Sequence, residues 1–437
     1  MNIKEKLGLF FKDKSIAILG FGREGKSTLD ILKDIGCKNV AVLDKNDVDK
    51  NAARGCTLHC GDNYLDFLNE YDIIMKSPGI ALFDSVSADV KEKITSQTDL
   101  FLRFCDNKII GITGTKGKST TSSLIEHIMN YCGKKAVLIG NIGIPPLSVI
   151  DSLEKDTIVV CEMSCHQLEY VKASPQTAVL LNIYEEHLDH YVNFNAYKAA
   201  KENIYMYQIE GDLLIYNKEL ENSAINSLLA EKISVSQDYT ADVYLDGSDI
   251  IFFDKKIPFE KLSPKLEGHH NLYNIAAALT AAVKNGCDIN KAAEAVSLFN
   301  GLEHRMETVR TVNGVKYVND SISTIPLATI NAVKTFNADT LIIGGMDRGI
   351  NYEILTNFLN GEAVKNIICL PDSGYRIADT LNTRSNVIKV KNMEEAVQKA
   401  SEVSKNCCVL SPAAASYGFY KNFEERGKHF KDLVNLL

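Results

Sequence analysis

The chain has 437 residues, 45% apolar and 24% charged, with a formal net charge of -8, 11 Cys, 9 Pro and no Trp. At roughly 100–200 residues per domain this supports about two to four domains, and the composition excludes wholesale disorder and collagen-like repeats. The acidic balance excludes a protein whose main task is coating nucleic acid, because that needs a basic surface to release phosphate counterions.

The first twenty residues, MNIKEKLGLFFKDKSIAILG, alternate charged and apolar positions and do not read as a signal peptide. No apolar run reaches the ~18 residues of a spanning helix, so no membrane insertion is expected. Eleven scattered Cys fit a reducing cytoplasm better than a disulfide framework. Cys56, His59 and Cys60 are the nearest approach to a metal cluster, but they lack the second Cys pair of a zinc finger.

In chain order, the β-branched runs SIAILG, VAVLD, DIIMK, IIGIT, AVLIG, TIVVCEM and TAVLLNI alternate with helix-length segments. This predicts βαβ units and a mostly parallel sheet. From Gly211 to about Phe259 the runs LLIY, ISV, VYL and DIIFF crowd together, which predicts an antiparallel patch or an insertion. Leu272, Ile275, Ala276, Leu279 and Ala282 recur at helical spacing and predict a helix over 269–285. From about Arg305 the alternation resumes with VKYVND, TLIIGG, NIICL, NVIKV and CCVLS. The simplest parse is an α/β chain of three domains, 1–98, 99–303 and 304–437.

Three constellations carry chemistry. The first strand runs into Gly20-Phe21-Gly22-Arg23-Glu24-Gly25, and Asp44 ends the second. Glycines there let backbone N–H groups and a helix N-terminus approach a phosphate, while the acid takes ribose hydroxyls. Alone, this block reads as an NAD-dependent oxidoreductase, or as glycines serving only a tight turn. The second is Gly111-Ile112-Thr113-Gly114-Thr115-Lys116-Gly117-Lys118-Ser119-Thr120, again strand, loop and helix. Ile112 stands where a strict Walker A has Gly, yet the loop still offers amides to phosphates, Lys118 to the β/γ oxygens and a Ser119 hydroxyl to Mg²⁺. A plain dehydrogenase has no use for a second phosphate loop. The third lies at strand tips: Glu162 ends TIVVCEM, and TAVLLNI runs into Tyr184-Glu185-Glu186-His187-Leu188-Asp189. Ligands of open α/β sheets bind outside the carboxyl ends of the strands, so Glu162 and His187 are expected near the phosphate loop as Mg²⁺ ligands.

These residues, in order, resemble the Mur ligase family: the loop Gly111 to Thr120, then Glu162-Met163-Ser164-Cys165-His166-Gln167-Leu168-Glu169, then Asn182 to Asp189. Further matches are Ala199-Ala200-Lys201, Gly268-His269-His270-Asn271, His304-Arg305, Asn319-Asp320-Ser321, Gly344 to Gly349, Ser411 to Ser416 and Lys421 to Gly427. The resemblance implies a Rossmann-like N-terminal domain, a central P-loop ATP-binding domain and a C-terminal Rossmann-like domain. It implies an ATP-dependent ligase of peptidoglycan precursor synthesis that joins D-glutamate to UDP-N-acetylmuramoyl-L-alanine through an acyl phosphate, as a cytoplasmic monomer.

Carried over residue by residue, the resemblance places the UDP-sugar on Phe21, Asp44, Ser77, Gly79, Asn141 and Gln167. It places ATP on Gly114, Thr115, Lys116, Gly117, Lys118, Ser119 and Thr120, with Asn271, Arg305 and Asp320. Two Mg²⁺ ions fall to Ser119 with Glu162, and to His187, and Lys201 becomes a CO₂-derived carbamate. That modification replaces an ammonium, which has no acceptor, by an anionic oxygen donor suited to a hard cation. Lys118, Glu162, His187 and Lys201 are the implied catalytic group, and Thr324, Arg348, Ser416 and Phe423 the implied glutamate contacts. The family pattern Asn-Asp-Ser-Lys-Ala-Thr-Asn here reads Asn319-Asp320-Ser321-Ile322-Ser323-Thr324-Ile325, so a cation has become Ile322, and Arg348 replaces another pocket lysine. Arg keeps the charge and offers a planar fork to a carboxylate. An L-glutamate-adding ligase, the oxidoreductase and a non-catalytic ATP switch are the alternatives, and only a ligase uses all three constellations.

Overall fold

The computed structural model describes residues 1–82, 86–141, 144–187, 190–237, 240–262, 266 and 269–437. The motif positions Leu188, Asp189 and Gly268 lie outside them. No described helix is long and apolar enough to cross a membrane. The chain forms two compact units, Met1–Phe299 and Asn300–Leu437, and the described residues form three sheets.

The first sheet comprises β1 (Ile16–Leu19), β2 (Val40–Asp44), β3 (Thr57–Cys60), β4 (Ile73–Lys76) and β5 (Ile94–Thr95). Its order is β3-β2-β1-β4-β5 and every pair is parallel. Both faces of β1 are covered, which is why Ile16, Ala17, Ile18 and Leu19 run apolar without alternation. His59 on β3 meets the Tyr71 hydroxyl at 2.9 Å and stacks on Phe67.

The second sheet comprises β6 (Ile109–Thr113), β7 (Ala136–Gly140), β8 (Ile158–Glu162), β9 (Thr177–Leu180), β10 (Leu213–Asn217), β11 (Glu231–Ser236), β12 (Val243–Asp246), β13 (Asp249–Phe252) and β14 (Lys255–Ile257). Its order is β14-β13-β12-β11-β10-β9-β6-β8-β7. The segment after Gly211 differs from its sequence expectation: β10, β11 and β12 extend the sheet in parallel, and only β12-β13-β14 is antiparallel. The reason is burial. The runs Leu213–Asn217 and Ile233–Ser236 are covered on both faces, partly by the helix His269–Lys284, whose Ile275, Ala276 and Leu279 are fully buried. That helix stands where the apolar spacing places it.

The first two sheets share one apolar core, in which Leu7, Phe11, Ile16 and Ile18 pack with Leu100, Phe101, Ile139 and Cys161. The helix Ile3–Phe11 enters it behind a capping box between Asn2 and Glu5.

The second unit holds β15 (Glu307–Val312), β16 (Val315–Asn319), β17 (Thr340–Gly345), β18 (Asn366–Asp372), β19 (Asn386–Lys389) and β20 (Cys407–Leu410), in the order β15-β16-β20-β17-β18-β19. All pairs are parallel except the β15–β16 hairpin.

Candidate active site

The phosphate loop leaves β6 at Thr113 and enters the helix Lys118–Tyr131. Gly117 caps that helix with φ +86°, and a Cβ there would collide with Oδ1 of Asn274, so only glycine suits the position. Asn182 fixes the loop from the tip of β9. Its Oδ1 accepts from the Lys116 amide at 2.8 Å, its Nδ2 donates to the Lys116 carbonyl at 3.0 Å, and its own carbonyl accepts from the Thr115 amide. The Thr115 hydroxyl lies 2.8 Å from the Tyr197 hydroxyl and accepts from the Tyr184 amide. The loop is thus preshaped by side chains, while the helix N-terminus above it has no side-chain cap. Such an end offers its N–H groups and dipole to an anion.

Two ammonium groups converge on the loop. Lys118 Nζ donates to the carbonyls of Gly114 at 2.8 Å and Thr115 at 3.0 Å. Lys201, from the helix Phe194–Met206, donates to the same Gly114 carbonyl at 2.9 Å and is 1% exposed. Burial first, and Lys118 second, push the Lys201 pKa down to about 8. Lys116 points outward to Glu186, 2.8 Å away.

Glu162 ends β8 in register with Ile112 of β6 and Gly140 of β7. It is 0% exposed; Oε1 accepts from Asn141 Nδ2 at 2.7 Å, and Oε2 has no hydrogen-bond partner among the described residues. A buried carboxylate oxygen left unpaired is costly and fits a hard cation. Ser119, in the first turn of the phosphate-loop helix, is buried too, and Thr120 is half-buried. His187 has φ +59° and a half-exposed ring 4.9 Å from His166 and 3.9 Å from Glu186 Oε2. No group of three or more His, Cys, Asp or Glu among the described residues could hold a metal by itself. Glu162 and His187 could each give one donor to a divalent cation that keeps several waters.

The first glycine loop is held differently. Phe21 is buried and its amide donates to Asp44 Oδ2 at 2.7 Å, while Asp44 Oδ1 accepts from the Asn46 amide. The carboxylate expected for ribose hydroxyls thus also ties the loop to β2. Ser77 donates its hydroxyl to the Gly20 carbonyl at 2.8 Å, and Gly79 beyond it is exposed. A cavity of ≈ 190 Å³ is lined by Arg23, Glu24 and Pro78 from the first sheet's side and by Gly140, Asn141, Pro145 and Gln167 from the second's. Asn141 thus faces both this cavity and Glu162.

Asn271 accepts from Asn274 Nδ2 at 3.1 Å, which links it to the Gly117 contact. In the second unit, Asp320 is 1% exposed and accepts from Ser411 at 2.7 Å and from the Met306 amide at 3.1 Å; burial raises its pKa against those bonds. Arg305 and Arg348 are exposed. Ser416 is buried, and Thr324 and Phe423 are half-buried, the Phe423 carbonyl accepting from Ser321 at 2.8 Å.

Three groups stand out to which the sequence assigned no role, although Asn182 and Arg426 lie within the motif runs. Asn182 and Asn274 shape the phosphate loop. Arg426 is 1% exposed and donates to Ser321 and to the Ala414 carbonyl, with Nη1 unpartnered among the described residues.

Comparison with known proteins bears on this geometry. Residues 112–282 match the family model of the Mur ligase middle domain. The chain is 35% identical to the UDP-N-acetylmuramoylalanine--D-glutamate ligase of Clostridium kluyveri over 98% of this chain and 97% of that one. It is 33% identical to the enzyme of the same name from Clostridium botulinum, over 98% of each. Among solved structures it resembles UDP-N-acetylmuramate-alanine ligase MurC of Thermotoga maritima (TM-score 0.57, 19% identity, 97% of this chain and 99% of that one). It also resembles MurF ligase of the same organism, solved in complex with ADP (TM-score 0.56, 17% identity, 96% and 95%).

Proposed function

The chain belongs to the Mur ligase family, and on that premise we propose that it joins D-glutamate to UDP-N-acetylmuramoyl-L-alanine at the expense of ATP. The acceptor and amino acid rest on relatives of that name matched over nearly the full chain. The observation that carries the chemistry is the arrangement around Gly114: a phosphate loop whose helix N-terminus has no side-chain cap, two lysines on one carbonyl and, one strand away, a buried carboxylate with one oxygen unpartnered among the described residues.

A carboxylate is a poor acyl donor, so the muramoyl-alanine carboxylate is first phosphorylated by ATP and the glutamate amine then displaces phosphate. Lys118 leaves the loop carbonyls to meet the transferring phosphoryl oxygens, while the amides of Gly114 to Thr120 hold the remaining phosphates. Mg²⁺, when bound, neutralises charge on the transferring group; Glu162 with Ser119 would hold one ion, and His187 with carbamylated Lys201 the second. Arg23, Asn141 and Gln167 orient the sugar nucleotide from the cavity they line, and Phe21, Asp44, Ser77 and Gly79 are assigned to the same substrate. Asn271, Arg305 and Asp320 are assigned to the nucleotide, and Thr324, Arg348, Ser416 and Phe423 to glutamate. Residues 1–98 serve the UDP-sugar, 99–303 ATP and 304–437 the amino acid, in a cytoplasmic monomer.

The test is a coupled ADP-release assay with UDP-N-acetylmuramoyl-L-alanine and D- or L-glutamate. ADP release that needs both the nucleotide sugar and D-glutamate is expected. Release with L-glutamate alone would move the chain to the sister activity, and release with neither would overturn the ligase reading.

A further inference from the structure

Lys76 ends β4, with its side chain 2% exposed. A lysine so deep is costly unless its charge is met. It is met from the second sheet's side: Nζ lies 3.3 Å from Oε2 of Glu169 and 5.4 Å from the centre of the Tyr170 ring. The same carboxylate oxygen holds Nε2 of His190 at 3.2 Å. Burial lowers the Lys76 pKa, while Glu169 and then Glu24 raise it, so both acids favour the charged ammonium.

The neighbours of the pair give it a role. Ser77 follows Lys76 and binds the Gly20 carbonyl, and Pro78 lines the ≈ 190 Å³ cavity. Gln167, two residues before Glu169, lines the same cavity from the opposite side, held by a capping box with Ser164. Adhesion between the two sheets does not need this charge, because the shared apolar core supplies it. Two apolar side chains of similar volume would pack there at no loss of stability, but an ion pair fixes which atom meets which.

We propose that the Lys76–Glu169 pair is a positioning device that sets the strand tip carrying Ser77 and Pro78 against the turn carrying Gln167, and so fixes the width of the cavity for the UDP-sugar. The inference rests on reading that cavity as the sugar-nucleotide seat.

The experiment is steady-state kinetics on the full chain, varying each substrate in turn, with Lys76→Met/Glu169→Met as the main variant because it removes both charges of the pair together, Glu24 and His190 each losing one partner. Its KM for UDP-N-acetylmuramoyl-L-alanine should rise roughly 10-fold or more. Its kcat, its KM for ATP and its melting temperature should stay near those of the parent. Lys76→Arg, which keeps the charge, should recover most of the sugar-nucleotide KM. A double variant with the parent's KM overturns the proposal, as does a rise shared by all substrates, the mark of a general structural role. If the parent chain itself releases no ADP with this acceptor, the functional reading fails and the positioning role falls with it. Parent turnover with an unmoved variant KM leaves the function standing and refutes the positioning role alone.

Discussion

Lys118 and Lys201 donate to one acceptor, the carbonyl oxygen of Gly114, at 2.8 and 2.9 Å. Two ammonium groups on a single neutral oxygen repel each other, and Lys201, buried and beside Lys118, holds its proton only up to about pH 8. It therefore has an appreciable neutral fraction just above neutral pH, and the neutral amine is the form that adds CO₂ with loss of a proton. Lys201→Ala should abolish turnover, and added short carboxylic acids should restore part of it by supplying the missing oxygen donor. Parent activity should fall in CO₂-depleted buffer and return with bicarbonate. Full activity of Lys201→Ala without rescue would exclude the carbamate.

Glu162 separates stability from catalysis. Because its Oε2 is buried without a hydrogen-bond partner among the described residues, Glu162→Gln takes a carboxylate out of that burial while keeping an oxygen to accept from Asn141. The ligand-free variant should melt no lower than the parent. Turnover should drop by roughly 10²–10³-fold, the scale seen when one group that stabilises transferring charge is lost. A Mg²⁺ titration of the residual activity should half-saturate at higher concentration. An unchanged kcat would remove Glu162 from the metal site.

How much of this was legible beforehand depended on range. Strands and phosphate loops show in local pattern, because a buried parallel strand needs a continuous apolar run and a phosphate needs glycines before a helix. The register that places Glu162 between Ile112 and Gly140 was foreseeable only as a rule about strand tips. The meeting of Lys201 with Gly114, 87 residues earlier, has no local signature. Neither does the burial of Lys76: a lysine ending an apolar strand reads as a solvent-facing terminus until its partner from residue 169 is in place. The parallel pairing of β10 and β11 was missed because closely spaced strands read as hairpins, and only the covering helix shows that both faces are buried.

Gly117 is a point at which the loop tolerates no side chain. Its φ of +86° disfavours any side chain, and an added Cβ would strike Asn274 Oδ1. Gly117→Ala should cost about 1–3 kcal/mol of stability from backbone strain. It should weaken ATP binding as well, because Asn274 is pushed from the loop. Chemical denaturation and ATP titration of the same variant check both; wild-type ATP affinity would show that the loop does not seat the nucleotide.

Arg348 is exposed, whereas Arg426 is buried under Ser321 and Ala414. Arg348→Ala should therefore leave stability within about 0.5 kcal/mol. If Arg348 pairs with a glutamate carboxylate, the variant loses roughly 1–3 kcal/mol of binding, read as a higher KM for glutamate with the ATP KM unchanged. An unmoved glutamate KM would refute the assignment.

Glu24 sets a pH dependence of the first unit. Burial pushes its pKa up to about 7 against the pull of Lys76 and Arg23, from an ordinary value of 4.5. Below pH 4.5 the carboxyl is protonated in both folded and unfolded chains and contributes no difference. Between 4.5 and about 7 the folded chain still holds a proton that the unfolded chain has released, so stability falls as pH rises. Above about 7 the whole cost is in place. Glu24→Gln lacks this ionisation, so its urea midpoint should exceed that of the parent at about pH 8, by an amount equivalent to about 1–3 kcal/mol after allowance for partial exposure. The gap should narrow steadily towards about pH 5. Parallel profiles for the two proteins would mean that Glu24 ionises at its ordinary value, and that the cavity it lines is wet enough to solvate a carboxylate.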